Sequence, residues 1–236
     1  MRYAVLTLTL LLCHGPPVRS DSVDHYLDFT LGYSRGDFNS GQDTELSRLQ
    51  VTYGQVMEHY DFSVLVPYLF LSDSFSDESG LGDIILHAGM TLSDNSSKVD
   101  DLYASISIKL PTANDVKGLG TGETDLGGFL IYTHDFTQMS LSLQGGYIVT
   151  GDRPFQQYEN IFVYGAGLSN IIIPWYFYVS LDGRQQVLET GDAPLELSGG
   201  FFYQLNSKQF VKMEGFAGLS DSSPDMGAAV GFVNWF

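Results

Sequence analysis

The sequence predicts an all-β fold: a closed antiparallel transmembrane β-barrel of about 12 strands. Three observations lead to this prediction. Apolar and polar residues alternate in one run after another, and each run is near the ~10 residues of a tilted membrane strand. The chain also begins with a short apolar stretch typical of an export signal. Beyond that stretch, no apolar run approaches the ~20 residues that a membrane-spanning helix needs.

Residues 1–20 are predicted to be a signal peptide. Arg2 supplies a positive start, the segment 4–13 is an apolar core too short to span a bilayer, and Val18-Arg19-Ser20 is a suitable cleavage site. Removal of this peptide leaves one predicted domain, the outer-membrane barrel at 21–236. Because the single cysteine, Cys13, would be lost with it, the mature chain could form neither a disulfide nor a thiolate-bound zinc site.

The segment 102–110 illustrates the alternation best. Its even positions, from Leu102 to Leu110, are apolar, whereas Tyr103, Ser105, Ser107 and Lys109 between them are polar or amphipathic. This period of two predicts a strand with one face toward lipid. The predicted strands are 26–34, 46–57, 61–72, 84–92, 102–110, 125–134, 139–150, 160–169, 176–185, 195–204, 210–219 and 227–236.

The connections predict how the barrel is oriented. Long acidic segments rich in Gly, Asp and Ser alternate with mostly shorter turns, the arrangement of a bacterial outer-membrane barrel with its termini in the periplasm. A group of aromatic residues falls at the periplasmic strand ends, where we expect them at the level of the lipid headgroups. These residues are Tyr26, Tyr60, Phe136, Trp175, Phe210 and Trp235. A soluble β-sandwich, whose strands also alternate, is the alternative fold.

The C-terminal strand ends on an aromatic residue. Phe236 is the last residue and Phe232 has the same parity, which resembles the signal by which barrel precursors are recognised for membrane insertion. We therefore expect the barrel-assembly machinery to recognise Phe232 and Phe236. Outer-membrane lipid and lipopolysaccharide are the other expected macromolecular surroundings.

The charge balance excludes one class of partner. The chain has 28 acidic and 11 basic residues, a formal net charge of −17. A surface that binds nucleic acid needs clustered Lys and Arg, so nucleic acid is not expected as a partner.

Alternation also assigns residues to the barrel interior. A charged side chain at mid-depth on the lipid face costs about 2–4 kcal/mol for Lys or Arg, so charged positions on the polar face are predicted to line the lumen. The predicted lumen-lining charges are Asp28, Arg48, Asp83, His87, Lys109, Asp182, Arg184, Glu196, Lys212 and Glu214, together with the polar Tyr103, Gln144, Tyr176, Tyr178 and Gln204. Both signs occur there, which disfavours a channel for anionic oligosaccharides. Pairs that plug a narrow barrel are an equally open interpretation.

A family resemblance rests on the middle of the chain. Gly80-Leu81-Gly82-Asp83 enters a strand, Lys109-Leu110-Pro111-Thr112 leaves one, and Gly118-Leu119-Gly120-Thr121-Gly122 precedes the next. Their order and spacing resemble the outer-membrane proteins of the meta-pathway phenol-degradation family. The resemblance implies an outer-membrane barrel that admits aromatic or other hydrophobic compounds.

The same motifs have structural explanations. Glycines at strand entries permit bends and bulges, and Pro111 ends ladder pairing after Leu110. Pro67 inside a predicted strand lacks a ladder donor, which indicates a bulge or a local opening. The run Gly118–Gly122 is not a phosphate loop, because no Lys-Ser or Lys-Thr pair and no helix follow it.

Two groups of residues raise enzymatic and metal-binding alternatives to a pore. A lipid-acting barrel enzyme needs Ser and His within hydrogen-bond reach, and His87 is too far from Asp83 along one strand to form a dyad with it. The oxygen-rich loop of Asp37, Asn39, Asp43 and Glu45 could attract calcium, but a solvated acidic loop is the better interpretation.

The sequence therefore predicts a pore or channel in the bacterial outer membrane for passive uptake of small solutes, with aromatic or hydrophobic compounds as candidates. It is expected to be no enzyme and to need no cofactor and no metal. A closed structural or interaction barrel is the alternative, and a lipid-acting enzyme is a more distant one.

Overall fold

The computed structural model describes residues 23–36, 43–92, 100–152, 159–186 and 192–236. The predicted signal peptide, residues 37–42 of the oxygen-rich loop and residues 93–99 before β6 lie outside these ranges. The described residues form the strands β1 Asp24–Gly36, β2 Thr44–Val56, β3 Tyr60–Ser72, β4 Asp77–Leu81, β5 Ile84–Thr91, β6 Asp100–Leu110, β7 Asp125–Asp135, β8 Met139–Val149, β9 Ile161–Ile172, β10 Trp175–Arg184, β11 Leu195–Asn206, β12 Gln209–Gly218 and β13 Met226–Trp235.

The strands form one closed antiparallel sheet. Strand β1 pairs with β2 on one side and with β13 on the other, so the last strand returns to the first. Closure leaves no free edge between these strands, which is what lipid requires of a sheet. The peptide bond between Ile173 and Pro174, in the turn between β9 and β10, is cis.

The barrel has twelve strand positions, because β4 and β5 share one. Both pair with β3, but Tyr68 is opposite Leu81 whereas Leu65 is opposite Ile85, so the register shifts by one residue. The shift is a bulge at Gly82 and Asp83, and it faces Pro67, whose carbonyl accepts a hydrogen bond from the Gly82 amide at 2.9 Å. The irregularity expected at Pro67 is therefore confirmed, while β4 is a strand that the sequence had placed in a loop.

Apolar side chains lie on the exposed outer face of the sheet and polar side chains on its inner face, the reverse of the arrangement in a soluble protein. On β1, Phe29 and Leu31 are 45% and 55% exposed, while Thr30 and Ser34, which have the opposite parity, are buried. On β7, Leu126 and Leu130 are half exposed beside a buried Asp125. An apolar outer face and a polar inner face fit a lipid-facing barrel and contradict the soluble β-sandwich. No helix within the described ranges is long and apolar enough to cross a membrane.

Tyr26 and Phe210, which were predicted to lie at the level of the lipid headgroups, face the interior of the barrel. Tyr26 and Phe210 are only 7% and 4% exposed, and they pack against each other and Val233 on the inner face. Trp235 is partly buried against the same cluster. The expectation was wrong for these residues because position along a strand gives depth in the membrane, whereas parity decides the face. Tyr60 and Phe136 are about half exposed, and Trp175 is also exposed.

Candidate functional site

The candidate site is the inner wall of the barrel, formed by every second residue of each strand. Hydrogen bonds across an intervening strand show which residues share this face, since two side chains can meet over a third strand only when all three positions face the same way. The wall is built from such contacts.

Lys212 on β12 reaches Asp28 on β1. The Lys212 Nζ lies 2.5 Å from Asp28 Oδ2, although β13 separates the two strands. Asp28 also accepts a hydrogen bond from Thr30 Oγ1 at 2.9 Å. Both carboxylate oxygens of Asp28 therefore have hydrogen-bond partners.

Glu214 on β12 is contacted from two directions. Its Oε2 accepts a hydrogen bond from the Tyr178 hydroxyl at 2.7 Å, across β11. Its Oε1 lies 4.0 Å from an Arg48 guanidinium nitrogen, across both β13 and β1. Arg48, Glu214 and Tyr178 thus lie in one row that spans six adjacent strands.

Lys109 is the centre of a cluster at the end of the barrel where β1 ends and β2 begins. Its Nζ donates to Thr121 Oγ1 at 2.6 Å and lies 2.6 Å from Asp125 and 3.7 Å from Asp83. The Lys109 side chain is 9% exposed, so the ion pairs are shielded from water. Asp83 accepts a further hydrogen bond from the Ala113 amide. The cluster therefore attaches segment 111–124 to the wall.

His87 has a partner on another strand rather than Asp83. The Tyr103 hydroxyl donates to Asp61 Oδ1 at 2.7 Å, and His87 Nε2 lies 2.9 Å from the Tyr103 oxygen. Because Tyr103 gives its one proton to Asp61, the proton of this second contact belongs to Nε2. The Nδ1 atom is buried and has no hydrogen-bond partner among the described residues.

Asp182 is bound by neutral donors. Gln144 Nε2 donates to Oδ1 and Ser180 Oγ donates to Oδ2, each at 2.7 Å. Its register partner on β11 is Glu196, which interacts electrostatically with Arg184. The cross-strand partner of each charge could not be read from the sequence.

Glycines make these long contacts sterically feasible. Gly231 lies between Lys212 and Asp28, and a Cβ built on it would be 2.5 Å from Lys212 Cε. At Gly165, between Gln144 and Asp182, a Cβ would be 2.3 Å from Asp182 Oδ1. Gly32, Gly89 and Gly200 have the same position beneath Arg48, Tyr103 and Tyr178. At these positions a long side chain crosses the neighbouring strand because glycine presents no side chain of its own.

Sequence reasoning missed two carboxylates of this wall, Asp61 and Asp125. Both have the parity of the buried face on β3 and β7, where the exposed neighbours Phe62 and Leu126 are apolar. The signal was present as alternation at the first residues of those strands. It was overlooked because strand ends are read as turn residues.

Three apolar clusters interrupt the polar wall. One consists of Phe129, Ile148, Ile161 and Val163 on β7 to β9. A second includes Tyr26, Phe210 and Val233, at the end of the barrel where β1 begins and β13 ends. The third joins Leu119 of segment 111–124 to Leu46 and Leu69 on β2 and β3. Buried apolar side chains therefore lie beside hydrogen-bonded charges on the inner face.

The two terminal aromatics lie at the closure of the barrel. Phe236 is 54% exposed, its backbone amide donates to the His25 carbonyl at 2.9 Å, and its ring stacks on that of His25 with centroids 5.8 Å apart. Phe232 is opposite Phe29 in the pairing of β13 with β1. The oxygen-rich loop is described only in part: Asp43 forms an ion pair with Arg35, whereas Asp37 and Asn39 lie outside the described residues.

A family model matches almost the entire chain. The model described as "Putative MetA-pathway of phenol degradation" aligns with residues 22–235. No curated protein matches the sequence. The match covers far more of the chain than the motifs in its middle.

Solved structures share the fold. The COG4313 outer membrane channel from Pseudomonas putida F1 superposes with a TM-score of 0.76 at 15% identity, covering 93% of this chain and 97% of that one. A KdgM porin in complex with oligogalacturonate gives 0.60 at 11% identity, with coverage of 89% and 98%. The CymD monoaromatic hydrocarbon channel gives 0.52 at 10%, with coverage of 92% and 89%. At these identities the likeness is one of fold, and it confirms the predicted barrel.

Proposed function

This chain belongs to the phenol-degradation MetA-pathway family, and on that premise we propose that it is an outer-membrane channel for passive uptake of small solutes. Aromatic or hydrophobic compounds are the candidate cargo. The observation that carries the proposal is the inner wall, where hydrogen-bonded charges alternate with apolar clusters. Such a wall offers both a polar path and contacts for an aromatic ring.

Two of the similar structures are described with different kinds of solute. The CymD channel is described for monoaromatic hydrocarbons and the KdgM porin holds an acidic oligosaccharide. The apolar clusters of this wall favour the first kind of cargo, because a long polyanion would meet Asp182 and Glu214 as well as Arg48.

The surroundings proposed for the barrel follow from the same assignment. Outer-membrane lipid would contact the apolar outer face, and lipopolysaccharide would surround the acidic outer loops. The barrel-assembly machinery would recognise the C-terminal strand through Phe232 and Phe236.

An enzymatic role is not proposed. His87 is engaged through Nε2 with Tyr103, and its Nδ1 has no serine partner among the described residues. A His87→Ala variant assayed on phospholipid and ester substrates tests this: hydrolysis by the wild type that the variant loses would contradict the assignment.

A closed structural barrel remains the second candidate, favoured by segment 111–124. Leu119 is 5% exposed against Leu46 and Leu69, so this segment folds over the outer end of the wall. Single-channel conductance of the refolded protein and liposome swelling with small polar solutes separate the two. Discrete conductance supports the channel. Protein that is folded but produces neither conductance nor swelling contradicts the channel and favours the closed barrel.

A further inference from the structure

We infer that Arg48 and Glu214 form a binding site in the lumen for the hydroxyl group of a small neutral aromatic solute. How such a solute reaches the site rests on the proposed channel function, whereas binding at the site can be measured without conduction. The site lies within the row of contacts that joins β2 to β12 across β1 and β13.

A hydrogen-bond donor faces an acceptor here without a bond between them. A guanidinium nitrogen of Arg48 and Glu214 Oε1 are 4.0 Å apart, which is too long for a hydrogen bond. The other oxygen, Glu214 Oε2, accepts from the Tyr178 hydroxyl at 2.7 Å. Among the described residues, the Arg48 guanidinium donates to no acceptor and Glu214 Oε1 accepts from no donor.

A hydroxyl group fits this gap because it both accepts and donates. An oxygen placed about 2.8 Å from each atom would accept from Arg48 and donate to Glu214. The two side chains are only 11% and 18% exposed, so an unmade hydrogen bond is costly here and a made one is poorly screened by water. Their remaining exposure is toward the lumen, because both lie on the inner face.

The opposite charges of the two residues favour a neutral solute. A carboxylate bound to Arg48 would approach Glu214, and Glu196 is a second acidic residue that interacts electrostatically with Arg48. An ammonium group bound to Glu214 would approach Arg48 in the same way. Repulsion by the like charge therefore discriminates against both ions, whereas a neutral hydroxyl meets neither repulsion.

An aromatic ring lies on the same face beside this pair. Phe216 has the parity of Glu214 on β12, and its half-buried ring crosses β13 at Gly227, where a Cβ would be 2.2 Å from Phe216 Cζ. Residues two apart on one face of a strand are separated by about 7 Å. Aromatic rings stack with centroids about 4.5–7 Å apart. A solute ring can therefore contact Phe216 while its hydroxyl lies between Arg48 and Glu214.

The test is an NMR titration of the refolded protein in detergent micelles with two probes of similar size. Benzyl alcohol accepts and donates, whereas benzonitrile only accepts. The reporter is the methyl group of Ala229, the register partner of Glu214; a Cβ built on Gly32 would lie 3.6 Å from this methyl and 2.9 Å from Arg48 Nε. Ala166 has the outward parity of β9 and reports solute dissolved in the detergent.

The expected result is a saturable shift of the Ala229 methyl resonance. Half-saturation by benzyl alcohol should come at a concentration roughly threefold or more below that of benzonitrile, the order of one additional hydrogen bond. Benzoate and benzylammonium, which carry opposite charges on the same ring, should bind more weakly than benzyl alcohol.

Matched variants assign the preference to the pair. Glu214→Met removes the acceptor and keeps the length of the side chain, so the two probes are expected to bind alike. Glu45→Met is its control, because Glu45 lies on the exposed face of β2. The heat-modifiable mobility of folded barrels on gels checks folding. If Glu214→Met does not fold, Arg48→Met serves instead and should weaken benzyl alcohol binding threefold or more, with Arg35→Met as control because Arg35 is 48% exposed.

The outcomes separate the site from the channel. A shift at Ala229 that does not saturate, equal binding of benzyl alcohol and benzonitrile, or tighter binding of either ion overturns the site. So does benzyl alcohol binding that the variant at Glu214 or Arg48 leaves unchanged, or that its control weakens equally. Protein that binds benzyl alcohol as expected but never conducts keeps the site and contradicts the channel, whereas conducting protein without this binding does the reverse.

Discussion

Lys212 Nζ lies 2.5 Å from Asp28 Oδ2, although 184 positions in the sequence and one complete strand separate the two residues. The side chain of Lys212 passes over Gly231 to make this contact. Four other side chains of the wall cross a glycine in the same way, so many contacts of the polar wall join strands that are not neighbours in the sheet. Such bridges link strands that backbone pairing does not join directly.

The Lys212–Asp28 pair is predicted to be coupled energetically. Lys212→Met should lower the free energy of unfolding by about 1–3 kcal/mol, because it leaves the largely buried Asp28 carboxylate without a cation. Adding Asp28→Asn should recover part of that loss. Urea unfolding of the refolded protein in detergent measures both. The Asp28→Asn single variant completes the cycle, and losses that add in the double variant would show that the pair is not coupled.

Glycine beneath a bridge is predicted to be irreplaceable. In Gly89→Ala the new Cβ would be 1.8 Å from the Tyr103 hydroxyl, so the Tyr103–Asp61 hydrogen bond must break or shift. We expect a loss of about 1–3 kcal/mol in stability. Gly128→Ala is the control, because a Cβ there meets nothing within 4 Å. Thermal unfolding compares the two, and similar midpoints would contradict the prediction.

Leu119 is predicted to hold segment 111–124 against the wall. Leu119→Ala should leave a cavity beside Leu46 and Leu69 and loosen the segment. Trypsin cleavage after Lys117 should become several-fold faster, since cleavage needs local opening. Val116→Ala is the control because Val116 is 86% exposed. Equal cleavage of both variants and the wild type would show that Leu119 does not hold the segment.

Phe236 is predicted to matter for assembly in cells more than for stability. Phe236→Ala removes a half-exposed ring whose contact is the stack on His25, so refolding in detergent should change little. If the assembly machinery recognises Phe236, the amount of folded Phe236→Ala barrel in the outer membrane should fall several-fold below that of the wild type. Normal assembly in cells would contradict its proposed role.

The turn between β3 and β4 is predicted to depend on pH. The amides of Phe75 and Ser76 donate to Asp73, and these hydrogen bonds lower the pKa of the Asp73 carboxyl. The charged form is thus favoured in the folded turn, so its contribution is full above the ordinary value of about 3.9 and is lost as pH falls through the lowered pKa. NMR titration of the Asp73 carboxyl carbon checks this. A midpoint at or above the ordinary value would refute it.

Sequence alone determined that the barrel has an apolar outer face and a polar inner face, and that it has twelve strand positions. A period of two is a property of adjacent residues, so it predicted twelve strand positions and gave each residue its face. Lipid then decides which face is outside, because charges such as Asp28 and Lys212 cannot lie there cheaply. Pro67, which lacks an amide proton, was enough to indicate the irregularity opposite Gly82.

Tertiary structure alone decided which inward side chains meet. Partners such as Lys212 and Asp28 depend on the register of every strand between them and on the closure of β13 against β1, and no local pattern carries that information. The same holds for the packing of Tyr26 against Phe210, which lie on different strands of the inner face. Alternation is local and survives in the sequence, whereas contact across a closed sheet exists only after the strands have been assembled in register.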